Sequence, residues 1–135
     1  MTLNGIVVAG LVLTGLAALV HVYIFWLESI AWTGAARAVF GTSREEAAAT
    51  RELAFNQGFY NLFLTILVVV GTVLYAVGDS STRAAGAALV LAGAGSMVAA
   101  ALVLFTTSPD KRSAALKQGL VPLVGVVLLA LGLAV

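Results

Sequence analysis

Four apolar runs dominate this sequence and limit the kind of fold it can adopt. They cover about residues 3–27, 55–77, 84–105 and 118–135. Each is close to the ~20 residues that an α-helix needs to cross ~30 Å of hydrocarbon. Because backbone polar groups inside a bilayer have no water to pair with, such runs form helices. The sequence therefore predicts one all-α membrane domain, residues 1–135, that crosses the membrane four times as a four-helix bundle.

The composition agrees with a membrane protein and argues against several other classes. Hydrophobic residues make up 61% of the chain and charged residues only 10%, against roughly 25% charged in an average soluble domain. The net charge of +1 provides no basic face for nucleic acid. With no cysteine and a single histidine, the chain lacks the usual ligands of a metal site. We expect no metal, no other cofactor and no nucleic-acid partner.

The basic residues are distributed unevenly among the three connections between the runs. Connections one and three carry six of the seven Lys and Arg side chains, and connection two carries only Arg83. Under the positive-inside rule, connections one and three face the cytoplasm, so both termini lie on the extracytoplasmic side. The distribution predicts a multi-pass protein of the inner (plasma) membrane.

The first connection, residues 28–54, is long enough to contain structure of its own. Gly41 interrupts it, and Ser43 with Glu46 matches a capping box, which satisfies the free amides at a helix start. We expect the second helix to begin in water near Ser43 and to continue into the membrane. The segment before the cap is either a short helix at the membrane interface or a surface loop, and Trp32 suits the interfacial depth.

Polar side chains lie within or beside the apolar runs, and the topology gathers them in the cytoplasmic half. On the first helix His21 and Glu28 are seven residues apart, so they share one face to within about 20°. Polar groups in lipid are costly unless paired, so their convergence predicts a polar ligand-binding pocket. The expected pocket residues are His21, Glu28, Asn56, Gln57, Tyr60, Asn61 and Gln118.

Each of these side chains also has a structural interpretation. The histidine and the amides can hydrogen-bond neighbouring helices, Glu28 can pair with a basic residue at the interface, and Tyr60 can anchor there. On the third helix, small residues recur at four-residue spacing, which allows close packing within the chain or against a second copy. That stripe is Ala88, Ala92, Ser96 and Ala100. Whether the chain forms a homodimer therefore stays open.

The polar residues fall in segments that resemble a known family. Residues 21–28, with Trp32 and 39–41, are similar to the opening of domain-of-unknown-function family 1304. Residues 56–64, Asn-Gln-Gly-Phe-Tyr-Asn-Leu-Phe-Leu, resemble its clearest motif, and 118–122 resemble its last helix. The resemblance covers nearly the whole chain. It implies a small bacterial four-helix integral membrane protein, and it implies no activity because the family is uncharacterised.

Three functions remain open at this point. The leading hypothesis is a protein that binds or transports a small or lipophilic ligand in the polar pocket. The first alternative is a membrane-embedded, isomerase-like enzyme with His21 and Glu28 as candidate catalytic acid and base. The second is a structural or assembly protein with no ligand. Membrane lipids are expected partners in each case.

Overall fold

The computed structural model describes residues 3–135, and all of its regular structure is helical. The helices are α1 (Gly5–Phe25), which continues into a π-helical turn (Trp26–Ile30), α2 (Ala36–Phe40), α3 (Arg44–Ala49), α4 (Arg51–Val77), α5 (Ser80–Thr107), a 3₁₀ turn (Pro109–Lys111) and α6 (Arg112–Ala134). Four segments are 26 to 28 residues long and apolar enough to be membrane spans: α1 with its π turn, α4, α5, and the 3₁₀ turn with α6. The prediction of an all-α chain with four long apolar helices is confirmed.

The long helices extend beyond the apolar runs because polar residues cap or continue them. α5 begins at Ser80, several residues before its apolar run, since the carboxylate of Asp79 accepts a hydrogen bond from the Thr82 N–H at 2.9 Å. That bond holds the pKa of Asp79 below its ordinary value. α6 begins at Arg112, directly after the turn at Pro109, as the Ser-Pro-Asp sequence there favours.

The first connection differs from its prediction at one point. Ser43 caps α3 as expected, accepting a hydrogen bond from the Glu46 N–H at 3.1 Å. The expected continuous helix from Ser43 into the membrane is wrong, however, because α3 ends before Thr50, whose φ of −102° and ψ of 4° leave the helical region. The Thr50 hydroxyl donates to the Glu46 carbonyl at 2.7 Å and accepts from the Trp32 indole at 3.1 Å. These side-chain bonds stabilise the break.

The segment before the cap does contain a short helix, α2. It ends at Gly41, whose φ of +67° is the left-handed conformation that favours glycine at a helix end. The two short helices and the 3₁₀ turn lie at one end of the bundle, which we call the connection end.

The four long helices form a ring in chain order, with α6 packing back against α1. The Asn4 Nδ2 donates to the Gly132 carbonyl at 2.8 Å, so the start of α1 and the last turn of α6 lie side by side. We call this the termini end. It is opposite the connection end, because each helix runs antiparallel to the next.

Glycines set which pairs of helices pack most closely at each end. In the termini half, a Cβ at Gly10 would lie 2.6 Å from the backbone nitrogen of Leu129, and one at Gly71 would lie 2.6 Å from the Gly86 carbonyl oxygen. The backbones of α1 and α6, and of α4 and α5, therefore touch there. In the connection half the tight contacts are made between different pairs of helices. Gly58 brings α4 against α1, and Gly119 brings α6 against α5.

The small-residue stripe predicted on the third helix does not pack within the chain. Ala88, Ala92, Ser96 and Ala100 are all exposed. The buried face of α5 is a different one, built from Gly86, Ala87, Val90, Gly93, Ala94, Met97 and Ala101. Of the two alternatives for the stripe, packing inside the chain is thus excluded, and packing against a second copy stays a prediction.

The glycine contacts make a direct prediction for stability. Gly10→Ala should lower the free energy of unfolding by about 1–3 kcal/mol, because the new methyl group would displace the Leu129 backbone. Gly15→Ala on the same helix is the matched control, since no atom lies within 4 Å of its Cβ position. It should leave stability unchanged or raise it by up to about 1 kcal/mol, as alanine favours helix. Thermal unfolding in detergent measures both, and equal effects would contradict the close contact.

Candidate functional site

A cavity of about 730 Å³ opens at the connection end, between the long helices and beneath the first connection. Five of the seven side chains predicted for a ligand site line it, and they come from three of the four spans. His21 and Glu28 belong to α1 with its π turn, Gln57 and Asn61 to α4, and Gln118 to α6. The α5 wall is mainly apolar and includes Met97, Val103 and Leu104. The cavity therefore has polar walls on three helices and an apolar wall on the fourth.

The π-helical turn at the end of α1 places Glu28 on the cavity wall. The Ala31 N–H donates to the Trp26 carbonyl at 2.9 Å, five residues back rather than four. A turn of this kind holds one extra residue and rotates the side chains that follow it, and such turns are frequent at functional sites. The glutamate remains partly buried.

A hydrogen bond between two spans fixes the position of that carboxylate. The Asn61 Nδ2 donates to Glu28 Oε2 at 2.8 Å and also donates to the Gln57 carbonyl at 3.2 Å. Both hydrogens of the amide nitrogen are used, so the amide orientation is defined. Asn61 thus links the carboxylate of one span to the backbone of the next.

Gly58 and Ser29, which sequence reasoning did not single out, set the distance between these two spans. A Cβ at Gly58 would collide with the Ser29 hydroxyl oxygen and lie 3.1 Å from the Cβ of Glu28. The Ser29 hydroxyl donates to the Phe55 carbonyl at 2.9 Å. Since only glycine lets α4 lie this close to the π turn, Gly58 is what allows Asn61 to reach Glu28. A glycine in the middle of a helical pattern was the available signal.

His21 lies at the inner wall of the cavity and is only 3% exposed. Its Nδ1 is 2.8 Å from the Ala17 carbonyl oxygen. Because a carbonyl oxygen only accepts, Nδ1 carries the hydrogen, and in the neutral ring Nε2 is then an acceptor. In its neutral form His21 therefore offers an acceptor nitrogen, Nε2, to the cavity.

Asn56 and Tyr60 are not brought to the cavity. They border a separate depression on the outer surface of α4, together with Phe55, Phe59 and Phe63. Tyr60 is 64% exposed. One residue of an α-helix turns by about 100°, so the neighbours of Gln57 and Asn61 point away from them.

The first connection adds groups that the sequence did not assign to the site. The Trp32 and Phe40 rings, with centroids 5.5 Å apart, both line the cavity. Thr42 also lines the cavity, and its hydroxyl oxygen is buried with no hydrogen-bond partner among residues 3–135. Glu46, Asp110 and Lys111 lie at the mouth. These positions depend on the path of the connections, which no helical periodicity predicts.

The described part of the chain contains no group of three His, Asp or Glu side chains arranged to hold a metal ion. The side chains on the cavity wall can provide hydrogen bonds, charge, apolar contact and, at His21 and Glu28, proton transfer.

The bond between Asn61 and Glu28 can be measured by a double-mutant cycle. With Glu28→Leu and Asn61→Leu, unfolding in detergent should give a coupling energy of about 0.6–1.7 kcal/mol, between the average and the maximum known for hydrogen bonds between membrane helices. The matched cycle of Glu28→Leu with Asn56→Leu should give no coupling, because Asn56 faces outward. Equal coupling in the two cycles would show that the bond does not form.

Comparison with known proteins identifies the family of the chain and leaves its activity undefined. No curated protein and no solved structure matches it. The model of one protein family, described as a protein of unknown function (DUF1304), matches residues 15–130. The matched range contains every residue that lines the cavity. With nearly its whole length matched, the chain belongs to the DUF1304 family.

Proposed function

We propose that this protein binds a small or lipophilic ligand in the cavity at the connection end, as a membrane-embedded binding protein or small transporter. One observation carries the proposal. A single cavity collects the Glu28–Asn61 pair, His21, Gln57 and Gln118 at one end of four candidate membrane spans. These polar groups line space that a ligand can fill, next to the packed contact between α1 and α4.

The energetics of polar groups support binding over a purely structural role. The hydrogen bond of His21 to the Ala17 carbonyl stays within α1, so it joins no two helices. Polar residues that serve only to join helices are paired across a closed interface. Here the volume of about 730 Å³ lies in the range of 300–1,000 Å³ typical of small-molecule sites.

The charge distribution supports an orientation for this binding protein. Six of the seven basic residues belong to connections one and three, which meet at the connection end. By the positive-inside rule the cavity then opens towards the cytoplasm, and the two termini lie on the extracytoplasmic side of the inner membrane. The ligand would be exchanged with the cytoplasmic leaflet or the cytoplasm.

The test is to identify what the protein carries when it is isolated. Wild-type protein is extracted from its membrane into polymer nanodiscs, and the small molecules released by organic solvent are quantified by mass spectrometry. We expect a compound present near one molecule per chain. Asn61→Leu should reduce its occupancy by about tenfold or more, since it removes a polar contact and frees the Glu28 carboxylate.

Asn56→Leu is the control for this experiment, because it makes the same change five positions away, on the outer face of α4. It should retain the compound at the wild-type level. An extract that is the same for wild type, Asn61→Leu and Asn56→Leu, with no compound above the level of bulk lipid, would contradict the proposed function.

A further inference from the structure

One stripe of residues along α5 contacts α4 in one half of the helix and lines the cavity in the other half. In the termini half the stripe packs on α4: a Cβ at Gly86 would lie 2.6 Å from the Gly71 carbonyl oxygen, and one at Gly93 would lie 3.0 Å from the Leu64 carbonyl oxygen. Continuing at the same helical spacing, the stripe reaches Ala100, Leu104 and Thr107, which line the cavity instead. Ala100 and Thr107 are exposed.

The facing stripe on α4 behaves in the same way. Gly71 and Val68 are buried between the helices, whereas Asn61 and Gln57, about two and three turns further on, line the cavity. The two helices therefore part in the connection half. Val103 lies on α5 next to the point where α4 and α5 separate. It lines the cavity and is 60% exposed. The exposure of Ala100 and Val103 indicates a side opening between α4 and α5. At 1.5 Å per residue, Ala100 lies about 10 Å from the end of α5 at Thr107.

The charged side chains around the cavity are mostly acidic. Glu28 lies inside, Glu46 and Asp110 lie at the mouth, and Lys111 is the one basic residue on the wall. A negatively charged head group would meet three carboxyl groups and one ammonium. A positively charged one would meet carboxylates that can accept its hydrogen bonds or balance its charge.

Aromatic and aliphatic surfaces complete the site for a ligand of this charge. The Trp32 and Phe40 rings lie on the wall near the mouth, and aromatic faces attract cations. Val103 and Leu104 form the apolar wall next to the side opening. Trp32, Phe40 and Glu46 belong to the first connection, whereas this apolar wall belongs to α5.

We propose that the ligand is a lipophilic cation that enters the cavity from the bilayer through the side opening between α4 and α5. Its positive group lies against Glu28, and its apolar part contacts Val103 and Leu104. This inference rests on the proposed binding function and adds to it the charge of the ligand and its route.

The experiment measures binding of two ions that have the same shape and opposite charge. Tritiated tetraphenylphosphonium and tetraphenylborate are added to the full chain in lipid nanodiscs, with empty nanodiscs as the blank. The phosphonium should bind saturably and at least about tenfold more tightly than the borate. Glu28→Gln should weaken phosphonium binding by about tenfold, and Glu46→Gln by a smaller factor. Glu45→Gln, which alters an exposed carboxylate outside the cavity, should bind as wild type does.

The side opening is tested by the rate of association. Ala100→Phe places a ring in the opening and should slow phosphonium association by about tenfold. Ala99→Phe is the control, since Ala99 is exposed at the same depth and does not line the cavity. Val103→Phe is a second blocking variant, at a position exposed enough to accept a larger side chain. Each variant is used only if its thermal unfolding matches wild type.

Three results would overturn the inference. They are equal binding of the phosphonium and the borate, equal association rates in Ala100→Phe, Val103→Phe and Ala99→Phe, or no saturable binding of the phosphonium by wild type. In each case the proposed function is judged separately, because the compound that co-purifies with wild-type protein is measured without any assumption about its charge or route.

Discussion

The contact between the α4 and α5 backbones at Gly71 and Gly86 is the interaction on which the shape of this bundle depends. In lipid no hydrophobic effect drives helices together, so close backbone packing at small residues supplies much of the stability. Two antiparallel helices that touch at one end separate towards the other unless something pulls them together. Near the connection end the glycines act on other pairs, α1 with α4 at Gly58 and α5 with α6 at Gly119. Because different pairs of helices touch at the two ends of the bundle, a space remains between the pairs at the connection end.

That space explains why polar residues can be tolerated so far inside candidate membrane spans. A carboxylate and several amides enclosed among closely packed helices would each need a protein partner. In this bundle Glu28 has one partner, Asn61, and its surroundings remain open to the cavity. The termini half, in contrast, is closed by apolar clusters around Val7, Tyr75 and Leu129. The asymmetry between the two halves follows from where the glycines lie.

The parts of the fold that depend on length and hydrophobicity were predictable from the sequence. Four spans follow from four apolar runs, and five of seven pocket residues follow from the cost of polar groups in lipid. Asn56 and Tyr60 were predicted for the pocket on depth alone, and the structure places them on the outer surface, because depth does not specify which way a helix face points. The π turn at Trp26–Ile30 and the break at Thr50 depend on contacts with other segments, so local sequence could not reveal them.

Asn61 lines a cavity that water can enter in the connection half, whereas the same stripe of α4 is closed further along, at Val68. The chain has no cysteine, so one introduced thiol reports on one position. The direct measurement is the reaction rate of Asn61→Cys with the water-soluble reagent aminoethyl methanethiosulfonate in nanodiscs, compared with Val68→Cys seven residues further along the stripe. Val68 is 0% exposed. We expect the thiol at position 61 to react at least about a hundredfold faster, because only the thiolate formed in contact with water attacks the reagent. Equal rates at the two positions would show that water does not enter a cavity at Asn61.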